Sequence, residues 1–254
     1  MRRLVGVGVL LSLSAMGFAE NASFTAEQKK AIQKVIHDYI LNQPEILIEA
    51  SQALQQKQQQ KMQAEAKELI KKYANQVFND NQTLVGNPTG DVTLVEFFDY
   101  QCGHCKKMAS VVTNVIEKAP NLRVIYKEFP IFGGQSTTLA KAALAAGMQK
   151  NYAAMHNALL SADKRLNENA IIAIAKSLNL DIPKFKQDMQ SKEVQQIIAD
   201  TRKLGEQIHL MGTPAFIIAS TPKGVFKENN SKPIVFIPGA TSEASLLEIV
   251  KHAG

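Results

Sequence analysis

The spacing of apolar positions divides the chain into a helical N-terminal part and a mixed remainder. Over residues 24–77 apolar side chains recur every three or four positions, as they do on one face of a helix. Asn42-Gln43-Pro44 interrupts this run, because proline suits the first turn of a helix and not its interior. The pattern predicts two successive helices, the first capped at Ser23 or Thr25 and a longer one starting at Glu45.

The longer helix has only a narrow apolar stripe, with glutamine and lysine on its other faces, as in residues 55–61. One stripe cannot enclose a hydrophobic core and requires a partner surface. We expect residues 20–82 to form an α-helical arm that pairs with a second copy of the chain in a homodimer. A helix folded back onto its own domain, or a glutamine-rich solvated linker, would have the same pattern.

Turn-rich residues 84–91 separate this arm from a region in which strands and helices alternate. The predicted elements are a strand at 92–98, a helix at 103–118, a strand at 122–129, helices over about 135–207, strands at 215–219 and 233–237, and a helix at 242–252. Strand, helix and strand at this spacing form a βαβ unit with parallel strands. The predicted fold class is therefore α/β, with a helical subdomain inserted between strands and an N-terminal α-helical arm.

The N-terminus has the parts of a cleavable secretory signal. Arg2 and Arg3 precede a short apolar stretch, and the small residues Gly17 and Ala19 stand at positions −3 and −1 of the expected cleavage site. The apolar stretch is shorter than the roughly 20 residues of a membrane-spanning helix. We expect residues 1–19 to be removed after export to the periplasm, with exposure at the cell surface as a further outcome. An uncleaved anchor is the alternative.

Charge and cysteine content narrow the functional classes. The formal net charge is +6, and two of these charges belong to the predicted signal sequence. The other basic residues are spread along the chain and form no dense tract with interleaved aromatics, so we predict no nucleic-acid binding. An oxidising compartment would preserve disulfides. The two cysteines nevertheless lie in one short motif and cannot join distant parts of the fold.

That motif is Cys102-Gly103-His104-Cys105, between the first predicted strand of the α/β region and the helix that follows. A strand-to-helix junction places Cys102 near a helix N-terminus, where unpaired N–H groups and the helix dipole favour negative charge. The thiolate is the reactive form of cysteine, so this placement predicts dithiol–disulfide exchange.

Three other interpretations of the two cysteines are weaker. A permanent structural disulfide would stabilise the fold little, because the loop it closes is small. A zinc site needs four ligands, and the sequence offers no second cysteine pair or histidine cluster. Haem attachment requires a histidine directly after the second cysteine, where Lys106 stands. We predict no metal and no cofactor.

Four features in order make residues 83–254 resemble the DsbA family of exported thiol–disulfide oxidoreductases. They are Glu96-Phe97-Phe98, Cys102-Gly103-His104-Cys105, Tyr126-Lys127-Glu128-Phe129-Pro130 and Gly212-Thr213-Pro214. The resemblance implies a thioredoxin-like fold, and the helical insertion between strands also matches that family. The N-terminal arm looks like that of the branch in which a helical dimerisation segment precedes the catalytic domain.

Two departures from DsbA point toward disulfide isomerases. Gly103-His104 stands where DsbA commonly has Pro-His, and it is the dipeptide of protein disulfide isomerase. Thr213 precedes the proline where DsbA usually has valine. The resemblance implies that Thr213-Pro214 is a cis-proline loop facing the cysteines, whose backbone would bind an extended substrate chain. An ordinary trans turn is the alternative.

The motif residues have distinct expected roles. Cys102, on the exposed side of the pair, would be the attacking thiol, and the buried Cys105 would resolve a mixed disulfide. His104 would stabilise the Cys102 thiolate by charge or hydrogen bonding, and an inert exposed histidine is the alternative. Gly103 would let a substrate backbone approach closely.

Glu96 lies in the strand before the motif, where a buried carboxyl without a partner should titrate high. The resemblance implies that Glu96 relays a proton to or from Cys105. A salt bridge with Lys127 on the neighbouring strand is the alternative.

The chain is therefore expected to be a protein thiol–disulfide oxidoreductase that forms disulfides and also isomerises them. Its expected partners are unfolded or misoxidised exported proteins and a membrane redox protein that reoxidises or reduces the cysteine pair. Alternatives are a periplasmic or surface chaperone with incidental thiols, and a dedicated reductase.

Overall fold

The computed structural model of the protein describes residues 24–79, 82–162, 166–227 and 232–254. The predicted signal sequence lies outside these ranges. Two compact units make up the chain, one ending at Lys57 and the other running from Gln58 to Gly254. None of the helices in the described ranges combines the length and apolar character needed to cross a bilayer.

The N-terminal unit contains α1 (Ala26–Asn42) and the first part of α2 (Glu45–Lys72). Thr25 caps α1, because its hydroxyl accepts the N–H of Gln28 while the Gln28 side chain accepts the N–H of Thr25. The predicted helix break at Pro44 is confirmed. No residue of α1 is buried among the described residues. Five of its large apolar side chains are exposed and Ile40 is half-buried; the exposed ones are Ile32, Val35, Ile36, Tyr39 and Leu41.

The second unit is built on a five-stranded sheet. Its further elements are α3 (Ala74–Phe78), β1 (Leu84–Gly86), β2 (Val92–Phe98), α4 (Gly103–Lys118), β3 (Leu122–Glu128), α5 (Gly134–Gly147), α6 (Tyr152–Leu160), α7 (Glu168–Ser177), α8 (Ile182–Met189), α9 (Lys192–Gln207), β4 (Ala215–Ser220), β5 (Val235–Pro238) and α10 (Glu243–Ala253). The strand order is β1-β3-β2-β4-β5. β2 pairs in parallel with β3 and antiparallel with β4, which confirms the predicted βαβ unit.

The central strand β2 supplies both faces of the hydrophobic core. All seven of its residues are buried, as expected for a continuous apolar run in a strand covered on both sides. Alternate residues point to opposite faces. Leu94 and Phe98 pack in the cluster that includes both cysteines, whereas Val95 and Phe97 pack in the cluster formed with α3 and α9.

Five helices, α5 to α9, lie between β3 and β4 in the chain. Three of them begin at side-chain caps: Asn167, Asp181 and Ser191 each accept the backbone N–H three residues further on. Such caps typically stabilise a helix by about 0.5–2 kcal/mol each. The predicted fold class is confirmed, with helices before the α/β domain and a helical insertion within it.

Candidate active site

Cys102 is the N-cap of α4. Its backbone is extended, with φ −74° and ψ 115°, and its sulfur accepts the N–H of Cys105 at 3.4 Å. Sequence determines this geometry, because the buried strand β2 ends at Phe98 and the helical pattern starts just after Cys102. The sulfur of Cys102 therefore lies at the end of α4 where unpaired N–H groups and the positive end of the helix dipole favour negative charge.

The two cysteines differ in access and are not joined in a disulfide. Cys102 is 4% exposed and Cys105 is 0% exposed. Cys102 is thus less exposed than the sequence suggested, but it has the only accessible surface of the pair. Burial raises the pKa of the Cys105 thiol, with Cys102 and Glu96 adding to the rise and the backbone N–H of Asp99 opposing it. A neutral thiol is a poor nucleophile. Cys105 is therefore better suited to resolving a mixed disulfide than to making the first attack on a substrate.

The loop before β4 contributes a second contact to Cys102. The peptide bond between Thr213 and Pro214 is cis, as the family resemblance predicted. The carbonyl oxygen of Thr213 lies 3.2 Å from the sulfur of Cys102 and accepts a hydrogen bond from its thiol form. This contact joins residues that are 111 positions apart in the sequence.

Glu96 lies inside the sheet on the face that carries the cysteines. It is 3% exposed and makes no hydrogen bond or ion pair with any described residue. Burial raises its pKa to about 8, and the negative charge of Cys102 contributes to the rise. Strand register places Tyr126 opposite Glu96, and it places Lys127 opposite Phe97. Directly opposite residues share a face of the sheet, so Lys127 points to the other side and the salt bridge with Glu96 does not form.

Gly103 and His104 are both exposed at the start of α4. A Cβ atom added to Gly103 would meet nothing within 4 Å, so the surface above the cysteines is open at this residue. The structure thus brings together Cys102, Cys105, Thr213, Pro214 and Glu96, with Gly103 and His104 at the rim. The roles assigned to these residues stay predictions. No cluster of three metal-ligating side chains occurs within the described ranges.

A buried polar network beside the cysteine turn was missed by the sequence interpretation. One carboxylate oxygen of Glu128 accepts hydrogen bonds from the hydroxyls of Tyr100 at 3.0 Å and Tyr152 at 2.8 Å. The Tyr100 hydroxyl also lies 3.1 Å from Nδ1 of His156. Burial raises the pKa of Glu128 to about 8 and lowers that of His156 to about 3.

The sequence contained one indication of this network: Glu128 is an acidic residue at the end of a predicted buried strand, in Tyr126-Lys127-Glu128-Phe129-Pro130. Its partners come from other elements of the fold. Spacing along the chain does not place α6 beside β3, so the pairing of Glu128 with Tyr152 had no sequence signature.

The geometry agrees with comparisons to known protein families. The model for DSBA-like thioredoxin domains matches residues 93–251. The model for the N-terminal domain of the copper resistance protein ScsC matches residues 28–61. The first match covers strands β2 to β5 apart from the first residue of β2, the cysteine motif and the helical insertion, and it leaves out β1. The second match covers parts of α1 and α2.

Three individual proteins are similar to this chain over much of its length. A thioredoxin-like oxidoreductase from Silicibacter pomeroyi DSS-3 is 35% identical, with a TM-score of 0.62, over 70% of this chain and 96% of that one. Salmonella enterica Typhimurium BcfH is 28% identical, with a TM-score of 0.74, over 89% of this chain and 96% of that one. The thiol:disulfide interchange protein DsbA of Bordetella pertussis is 29% identical over 150 residues, covering 57% of this chain and 71% of that protein.

Much larger proteins also contain a matching segment. The Na⁺/H⁺ antiporter NhaA 1 of Salinispora arenicola (strain CNS-205) is 26% identical over 141 residues, which make up 55% of this chain and 22% of the antiporter. The chain thus spans about a fifth of the length of that relative.

Proposed function

Because the chain belongs to the family of DsbA-like thioredoxin domains and is a thiol–disulfide oxidoreductase of that type, we propose that it acts on disulfides of exported proteins. In this proposal the Cys102-Gly103-His104-Cys105 centre both forms disulfides and isomerises them. The observation that carries the proposal is the position of Cys102. Its sulfur lies between the N-terminus of α4 and the Thr213 carbonyl, and it has the only accessible surface of the pair.

Disulfide formation starts from the Cys102–Cys105 disulfide. A substrate thiolate attacks the Cys102 sulfur, a mixed disulfide forms, and Cys105 leaves as a thiolate. A second substrate thiolate then attacks the substrate sulfur of the mixed disulfide and releases Cys102. The substrate loses two electrons and the cysteine pair gains them. A membrane redox protein that accepts two electrons would restore the disulfide.

Isomerisation starts from the reduced pair and transfers no net electrons. The Cys102 thiolate attacks a non-native substrate disulfide and frees one substrate thiolate. That thiolate, or another in the same substrate, attacks a second bond and finally displaces Cys102. Where the substrate does not rearrange, Cys105 attacks the mixed disulfide and releases a reduced substrate.

Glu96 would move the proton that these steps require. Cys105 must lose a proton to attack a mixed disulfide and must regain one when it leaves as a thiolate. Glu96 lies on the same face of the sheet and has a pKa of about 8, so it is protonated in most molecules at neutral pH and still exchanges its proton readily. A buried carboxyl without a hydrogen-bond partner among the described residues is suited to this role.

The N-terminal unit would join two copies of the chain. The apolar side chains of α1 recur at Ile32, Val35, Ile36 and Tyr39, and all four are exposed. Their spacing gives one continuous apolar face, which a second copy of the same helix would cover. Two active sites facing a shared client would favour isomerisation of misoxidised chains. The sequence features of residues 1–19 support export to the periplasm.

The test is reactivation of a reduced protein and of the same protein with scrambled disulfides, each incubated with the full chain. Catalysis of both reactions is expected, together with complete loss in the Cys102→Ser variant. A chaperone with incidental thiols would prevent aggregation equally well with and without Cys102. A dedicated reductase would reduce the scrambled protein and form no native disulfides.

A further inference from the structure

Asp99, the first residue after β2, has a buried side chain that accepts four hydrogen bonds. Its Oδ1 atom accepts the backbone N–H of Gln101 and the hydroxyl of Ser136, both at 2.7 Å. Its Oδ2 atom accepts the backbone N–H groups of Ile131 at 2.7 Å and Phe132 at 3.1 Å. Both carboxylate oxygens are thus used, each by two donors.

These four donors come from three separate segments. Gln101 belongs to the turn that carries Cys102, Ile131 and Phe132 to the loop after β3, and Ser136 to the first turn of α5. The side-chain amide of Gln101 also donates to the Ser136 hydroxyl at 3.1 Å, which closes a ring of hydrogen bonds. Hydrogen bonds to an ionised carboxylate are stronger than neutral ones, so this arrangement ties the three segments together firmly.

The backbone of Asp99 acts on the two cysteines. Its carbonyl oxygen accepts the N–H of Cys102 at 3.0 Å. A backbone hydrogen bond from Asp99 also acts to lower the pKa of the Cys105 thiol, against the larger rise that burial causes. A shift of Asp99 would therefore displace the Cys102 sulfur from the N-terminus of α4 and would change the surroundings of Cys105.

We propose that Asp99 is a positioning residue for thiol–disulfide exchange, holding both cysteines in a fixed geometry relative to residues 131–136. The inference rests on the proposed exchange activity. Asp99 acts through its neighbours, because its side chain is 1% exposed and is surrounded by its own donors. A displacement of about 1 Å at a reacting sulfur can lower a rate by about a hundredfold, so a fixed turn matters for the reaction.

The Asp99→Asn variant tests the charge and the acceptor count with little change in shape. In asparagine, an NH₂ group replaces one of the two carboxylate oxygens. The two donors that bind this oxygen in the wild type would then face another donor and would lose their hydrogen bonds. Asp188→Asn is the matched control. Asp188 is also a buried aspartate, 7% exposed, but it lies in α8 and pairs only with Lys184 among the described residues.

The readouts are the equilibrium of the cysteine pair with glutathione, the pH profile of Cys102 alkylation and the kcat and KM for substrate oxidation. For Asp99→Asn we expect about a tenfold loss in kcat, a smaller change in KM, and a glutathione equilibrium shifted about threefold or more toward the disulfide. The direction follows because a displaced Cys102 thiolate loses stabilisation in the reduced state. Asp188→Asn should leave all three unchanged in folded protein, even where thermal stability falls.

If folded Asp99→Asn and Asp188→Asn give the same glutathione equilibrium, alkylation profile and kinetics, the inference is overturned. An inactive wild type would instead count against the proposed function, so the two failures are distinguishable. If Asp99→Asn yields no folded protein, Ser136→Ala decides the matter, since it removes one donor to Oδ1 together with the link to Gln101. A shift of the glutathione equilibrium in the same direction supports the positioning role, and an unchanged equilibrium overturns it.

Discussion

The sulfur of Cys102 lies 3.2 Å from the carbonyl oxygen of Thr213, directly before a cis proline. The backbone N–H of Cys105, in the first turn of α4, donates to the same sulfur at 3.4 Å. The sulfur therefore has an acceptor for its thiol form and a donor for its thiolate form. Such a site accommodates both protonation states of the attacking group, which a reversible exchange reaction requires.

Single substitutions of the two cysteines should have different effects. Cys102→Ser should abolish exchange, because the accessible sulfur is lost. Cys105→Ser should still react with substrate and should accumulate a mixed disulfide, because the resolving thiol is missing. Mass spectrometry of the quenched reaction measures this adduct. An adduct on Cys105 in the Cys102→Ser variant would reverse the assigned roles.

Glu96→Gln should slow the step in which Cys105 attacks a mixed disulfide. The amide fills the same space but accepts no proton, so we expect a loss of about 10- to 100-fold at neutral pH. In the wild type this rate should rise as pH passes the Glu96 pKa of about 8, since the carboxylate is then available as the base. Single-turnover kinetics across pH measure both effects. A variant that keeps the wild-type rate and inflection would exclude proton transfer by Glu96.

Glu128 should make stability depend on pH. Burial raises its pKa from 4.5 to about 8, so the native state keeps a proton that the unfolded chain has lost. Because the native state then binds more protons, the free energy of unfolding falls as pH rises from about 5 to about 8. Glu128→Gln should make this fall shallower by at most about 1.4 kcal/mol per pH unit.

Urea denaturation at several pH values between about 5 and about 8 measures this slope. Glu243→Gln is the control. Hydrogen bonds from Lys118 and Asn114 lower the pKa of Glu243 from 4.5, so it stays ionised throughout this range and its removal should leave the slope unchanged. Equal slopes in the wild type and Glu128→Gln would contradict the raised pKa.

Gly103→Pro should fold and stay active. Gly103 is the first residue of α4, a position that suits proline, and its Cβ direction is open. We expect a gain of about 0.4–1 kcal/mol in the free energy of unfolding, because proline restricts the unfolded chain. Thermal unfolding measures the gain, and Gly103→Ala is the control for loss of glycine alone. Destabilisation by proline would show that the start of α4 needs more freedom than its geometry indicates.

The apolar face of α1 should determine the oligomeric state. Replacing Ile32 and Ile36 together by glutamine should convert a dimer to monomers and reduce isomerisation more than oxidation. Lys30 and Lys34 have the same spacing on another face of α1, so their double replacement by glutamine is the matched control. Analytical ultracentrifugation measures the mass. A monomeric wild type would contradict the dimer, and loss of the dimer in both variants would show that the interface lies elsewhere.

Local patterns predicted most of the elements but not β1, because its three residues lie in the segment that was interpreted as a turn-rich boundary. The burial of β2, the N-terminal position of Cys102 on α4 and the break at Pro44 all follow from residues close together in sequence. Thr213 was placed beside Cys102 only through the family resemblance, since the two residues are far apart in the chain. The four donors to Asp99 and the two to Glu128 were not predictable, because they depend on how α5 and α6 pack against the cysteine turn.

The long sequence separation between Cys102 and Thr213 affects the order in which a newly synthesised chain folds. The β2-α4-β3 unit can form from neighbouring residues, whereas β4 joins β2 only after the intervening helices are made and a 111-residue loop has closed. A newly made copy therefore carries two reactive cysteines before its carbonyl acceptor arrives. During that interval it is an incompletely folded protein with two free thiols, which is the kind of client that we propose for the mature protein.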